Sequence, residues 1–191
     1  MKIGYILCYY FPQYVRTKTL VSGLEKIPGI EVIKSINKNA GWLRYFETFF
    51  HLIRMRILDK PDMYILGFRG VEIFWPVRLI TWGKPLILDH MMSPFDSLVF
   101  ERKNIKKGTV PEKMLFQYER GILKSADVVL TDTWMHQQYF TRLFDLPPDK
   151  IVPIHVSTDE QLFAPRPQEK SQKEFEVFFY GSFLPLHGVP Y

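Results

Sequence analysis

The stretch LILDHMMSPFDS, residues 86–97, gathers a carboxylate, an imidazole and a second carboxylate in Asp89, His90 and Asp96. An aspartate beside a histidine can orient hydroxyl groups, and His90 can share a proton with a reacting group near neutral pH. The competing reading is a loop held by Asx-type hydrogen bonds, with Asp96 above all serving the backbone. A second constellation lies in VRTKTL, residues 15–20, where Arg16, Thr17 and Lys18 bring two cations and a hydroxyl to the start of an expected helix. Free backbone N–H groups at such a start favour an anion, so these residues read either as a phosphate site or as a solvated helix end. Thr133, just after the run DVVLTD, puts a further hydroxyl at the end of an expected strand. His51 and His136 fall within helical stretches and read as non-functional.

These groups form a site only if the fold brings them to one edge. Short β-rich runs alternate with longer amphipathic ones, the pattern of βαβ units around a parallel sheet. Strands are expected at 2–9, 29–35, 62–68, 84–89, 127–132 and 150–156, the last ending near Pro153 as an edge does. Helices are expected at 16–27, 42–58, 71–80, 111–126 and 133–144, with an irregular loop from 90 to about 110. The fold class is therefore α/β, a Rossmann-like parallel sheet flanked by helices. In open sheets of this kind ligands gather at the carboxyl ends of the strands, which is where Asp89, His90, Arg16 and Thr133 fall. The first loop, CYYFPQYVRTKTL, has no glycine-rich phosphate fingerprint, which argues against a dinucleotide site of the usual kind.

Composition narrows the class further. With 47% hydrophobic and 16% aromatic residues the chain can bury a substantial core, which excludes disordered and collagen-like classes. No run reaches the roughly 18 consecutive apolar residues of a membrane span. The opening MKIGYILCYYFP lacks a cleavage site and reads as a first strand, so a cytoplasmic location is expected. The single cysteine, Cys8, sits in that apolar run and reads as a buried thiol. A net charge of +5 points to an anionic partner. Nucleic acid is not expected, because no basic repeat, zinc spacing or RNP-like motif occurs.

The helix WLRYFETFFHLIRMRILDK, residues 42–60, sets Trp42, Tyr45, Phe46, Phe49, Phe50, Leu52, Ile53 and Ile57 on one broad face. Most of that stripe is expected in the core. Its aromatic content, together with Arg54, Arg56, Lys60 and the basic loop ERKNIKKG, also suits a surface resting peripherally on anionic lipid.

Residues 125–189 carry a family likeness. SADVVLTDT, a helix, DKIVPIHVSTDEQLFAPRP and FEVFFYGSFLPLHGV resemble, in order and spacing, the segment joining the two halves of GT-B glycosyltransferases of family 4. The resemblance implies an acceptor-side half over residues 1–170, including a linker, and the first strand of a truncated donor-binding half over 171–191. It implies retaining transfer of a sugar from a nucleotide-diphosphate sugar to a cell-envelope or polysaccharide acceptor, a sugar or lipid-linked one, without cofactor or metal. Stabilising the departing diphosphate is then the main electrostatic task. Asp89 or His90 falls near the transferred sugar, and Arg16 and Lys18 near phosphate or acceptor. Ser182 and His187 stand where the family has an arginine and a lysine on the diphosphate. The glutamate pair of the second half has no counterpart, so the chain by itself is expected to be inactive, the product of a truncated or interrupted reading frame. The rival from another class is a non-catalytic Rossmann-like binding or scaffolding module.

Overall fold

The computed structural model describes residues 1–158 and Phe163. Six strands, Lys2–Leu7 (β1), Glu31–Ile36 (β2), Met63–Leu66 (β3), Leu86–Asp89 (β4), Val128–Thr131 (β5) and Ile151–Pro153 (β6), form one parallel sheet in the order β2-β1-β3-β4-β5-β6. β1, β3, β4 and β5 are short apolar runs covered on both faces, as inner strands of a parallel sheet must be. The edge strands β2 and β6 are less buried, and β6 ends on Pro153. The six strands expected from the sequence are all present.

Five helices of two turns or more connect them: Val15–Glu25 (α1), Leu43–Leu58 (α2), Phe74–Ile80 (α3), Val110–Ser125 (α5) and Trp134–Phe144 (α6), with a single turn at Pro94–Asp96 (α4). Right-handed crossovers send the leftward step β1→β2 over one face and every rightward step over the other. Accordingly Val21, Leu20 and Leu24 of α1 pack alone on Ile3, Tyr5 and Leu7. On the opposite face Leu52 and Met55 of α2, Phe74 and Val77 of α3, Ile122 and Leu123 of α5, and Phe140 and Phe144 of α6 share the larger core. Among the described residues no helix is long and apolar enough to cross a membrane.

Two expectations need correcting. The loop after β4 is not irregular throughout, because α4 runs directly into a π-helical turn, Ser97–Glu101. The Ser93 hydroxyl starts this segment by accepting the Asp96 N–H. The stripe of α2 is also only partly core: Leu52 is buried and Tyr45 and Phe49 pack against the core, but the rest of it is not. Thr48, Leu52 and Met55 meet the sheet, while Trp42, Phe46, Phe50, Ile53 and Ile57 point outward. Small groups decide this: Ser35 Oγ donates to the Thr48 carbonyl and Thr48 Oγ1 to the Leu7 carbonyl, a close approach of helix to strand that a large aromatic would block. The expected strand at 175–180 and the unit over 171–191 lie outside the described residues.

Gly67 shows how tightly the C-terminal edge of the sheet is closed. Its N–H donates to the Ile6 carbonyl, and a Cβ there would lie 2.8 Å from Tyr5 Oη and 3.2 Å from the Ile6 oxygen. Tyr5 is fully buried, and among the described residues its hydroxyl has no hydrogen-bond partner. We expect Gly67→Ala to cost about 1–3 kcal/mol by overpacking, whereas Tyr5→Phe is near neutral. Combining the two recovers much of the loss in urea denaturation, and strict additivity would show that the hydroxyl is not the obstacle.

Candidate functional site

The C-terminal edge of the sheet is organised by a buried ion pair. Arg16 enters from the first turn of α1, and its Nε–H donates to both oxygens of Asp89, at 2.8 and 2.9 Å. Nη1 donates to the Ile154 carbonyl at 2.8 Å and Nη2 to the Thr131 carbonyl at 3.1 Å. Both side chains are almost wholly buried. Burial pushes the Asp89 carboxyl up, and the guanidinium beside it pulls the other way. Arg16 therefore spends its charge on Asp89 and two strand ends. It does not face outward to an anion, as the helix-start reading proposed.

The next residue begins a second buried pair. His90 continues the ladder, its N–H donating to the Leu130 carbonyl, and its Nε2 lies 2.9 Å from Glu119 Oε1. Glu119 Oε2 accepts the Phe95 N–H at 2.8 Å. His90 is 2% exposed and Glu119 1%. The imidazole, which the family resemblance sets near a transferred sugar, is closed off from solvent by these contacts. Together Glu119 and His90 fasten the start of the 90–97 segment to α5.

That fastened segment forms one wall of an open groove of about 600 Å³, lined by Met92, Ser93, Asp96, Phe100, Lys103 and, across from them, His136 and Phe140. Its polar groups come as held pairs. Tyr139 donates from Oη to Asp96 Oδ1 at 2.7 Å. Burial pushes the Asp96 carboxyl up, against the pull of that hydrogen bond. Burial, reinforced by Asp96, likewise pushes the Tyr139 phenol up and keeps it a donor. One turn earlier on α6, His136 Nδ1 is hydrogen-bonded to Asp132 Oδ1 and its ring stacks on Phe140. Among the described residues Nε2 of His136 has no partner, so it is the nitrogen left to a ligand. The arrangement can orient hydroxyl groups and exchange protons with them.

The remaining expected residues are dispersed. Thr17 is buried beside Arg16, and its hydroxyl has no partner among the described residues. Lys18 is exposed and lines a separate depression of about 300 Å³ with Thr17 and Lys34. Thr133 is the N-cap of α6, its hydroxyl accepting the His136 N–H at 3.1 Å, so it positions the histidine. Ser182 and His187 lie outside the described residues. Sequence reasoning missed Glu119, Tyr139, Asp132 and the role of His136. Glu119 was findable as a carboxylate inside the apolar stripe of Phe116, Ile122 and Leu123, and the dyad as an Asp and a His four apart across a helix start. Among the described residues no group of three or more His, Cys, Asp or Glu is placed to hold a metal.

Two outcomes follow from these pairs. Arg16→Met strands a buried carboxylate and is expected to cost about 3–5 kcal/mol. Arg16→Met with Asp89→Leu regains a large part of it, so a stable single variant would show that the pair holds nothing. For Asp96, a folded-state value above the unfolded one means the native chain binds the extra proton. Its contribution is full below the unfolded value and is lost as pH rises through the folded value. Asp96→Asn, which keeps an oxygen for Tyr139, should therefore gain stability over the parent as pH rises above the ordinary aspartate value of about 4. A pH-independent difference in urea midpoints would refute the shift.

A scan against models of known protein families finds no match to this chain, and a search of curated proteins finds none either. The geometry of the groove is what carries a functional reading.

Proposed function

We propose that this chain is the acceptor-side half of a retaining glycosyltransferase that draws on a nucleotide-diphosphate sugar. The observation that carries the reading is the groove at the C-terminal edge of a parallel sheet, where ligands of such folds bind, with its polar groups already held in pairs around aromatic rings. In this reading sugar or acceptor hydroxyls donate to Asp96 and meet Nε2 of His136, whose Nδ1 is fixed by Asp132. Phe100 offers a ring to the apolar face of a sugar, and Lys103 contributes positive charge at the same wall. Asp89 and His90 act through what they hold: the first keeps the strand ends together with Arg16, and the second anchors the groove wall through Glu119. The order of segments that resembles family 4 supports the same assignment and leaves the diphosphate to residues beyond this half.

The test supplies the chain, together with a donor-binding half, with labelled nucleotide-diphosphate sugars and polysaccharide or lipid-linked acceptors. Label is expected to pass to acceptor, and Asp96→Ala or His136→Ala to lower the rate by about tenfold or more while far-UV circular dichroism is unchanged. A folded protein that turns over no nucleotide sugar, yet binds a protein partner through this edge, would instead make it a non-catalytic module.

A further inference from the structure

The helical face of the sheet carries surface that the groove does not use. On α2, Trp42, Phe46, Phe50, Ile53 and Ile57 recur at three and four residues and are all exposed, Phe46 by 66% and Phe50 by 67%. On the neighbouring α3 and the turn after it, Trp75, Leu79 and Trp82 form a second ridge at the same spacing, with Leu79 and Trp82 more than 70% exposed. The two helices touch, and Arg56 of α2 donates from Nη2 to the Trp82 carbonyl, so the ridges adjoin. Exposed apolar surface of this extent marks an interaction site.

Charge selects the occupant. Of the three arginines of α2, Arg44 is paired with Glu72, and the one glutamate of the helix is turned to the backbone N–H groups of Lys38 and Asn39. Arg54 and Lys60 are exposed beside the ridge, and Arg78 of α3 is paired with Asp127, away from it. The rim is thus cationic. A second copy related by a twofold axis would set this cationic rim against itself. An anionic lipid surface meets aromatic ridge and cationic rim together, the rings entering the headgroup boundary while the arginine and lysine stems stretch to the phosphates.

We propose that the outer face of α2 and α3 is a docking surface for an anionic lipid bilayer. It stands apart from the sugar-transfer reading, because vesicle binding is measured without any sugar and either can fail alone. In cosedimentation, the full chain is expected to partition onto phosphatidylethanolamine vesicles with about 30% phosphatidylglycerol, and weakly onto phosphatidylcholine. Tryptophan emission should shift to the blue on binding. Phe46→Ser with Phe50→Ser should lower the partition coefficient by about tenfold or more. Arg54→Glu with Lys60→Glu should abolish the preference for anionic lipid, as should raising salt from about 50 to about 500 mM. These side chains are exposed, so circular dichroism should not change. Absence of binding, or binding unaffected by both pairs of substitutions, overturns the proposal. So does a concentration-dependent dimer that the Phe46 and Phe50 substitutions dissolve, since the ridge then belongs to a second copy.

Discussion

The Arg16–Asp89 pair is the constraint on which the C-terminal edge depends. A parallel sheet ends in carbonyls and N–H groups that the strand ladder no longer satisfies, and here three strands end side by side. One guanidinium reaches from α1 to the carboxylate at the end of β4 and to carbonyls at the ends of β5 and β6. Burying two charges is costly, and such a pair does not have to add net stability. What it supplies is position: a side chain with several fixed N–H donors can be satisfied by one arrangement of α1, β4, β5 and β6.

Position then passes along the chain. Asp89 is fixed by Arg16, so His90 leaves β4 in a fixed direction and meets Glu119. That carboxylate holds the Phe95 N–H with its second oxygen. The segment beginning at Phe95 continues through a π-helical turn and brings Asp96 and Phe100 to face α6. Four buried ionisable groups, Arg16, Asp89, His90 and Glu119, thus serve geometry, while Asp96 and His136 line the open groove. This ordering accounts for why the residues most suggestive in the sequence are the least accessible in the fold.

The strands were legible because inner strands of a parallel sheet are short, apolar and bounded by turns, as KIGYIL and DVVLTD are. The edge location of Asp89 followed from that and from the rule for open sheets. The partner of Asp89 did not, because an arginine at a helix start looks the same in a sequence whether it points at solvent or at a carboxylate seventy-three positions away. The outer ridge of α2 failed for a different reason. A helix apolar on most of its circumference has no unique buried side, and the choice fell to Thr48, whose small side chain lets α2 approach β1 and β2. Glu119 and the Asp132–His136 pair left local signals, but a charged residue in an apolar stripe acquires meaning only when its partner is known.

The groove and the outer ridges share an edge. Strands of a parallel sheet all finish on the same side, so the helices that follow all begin there: α2 with Trp42, α6 with Thr133 and His136. The end of the aromatic ridge at Trp42 therefore rises from the same edge as the groove containing Asp96 and His136. A face lying on lipid along α2 and α3 would hold that edge near the headgroups, and an acceptor carried on a lipid would have a short path from the bilayer to the groove. Helix N-termini converging on one edge also give it a positive potential, which favours anionic headgroups and a departing diphosphate alike. One arrangement of strands and helices thus gives physical grounds for both proposals, while the residues that test them stay separate.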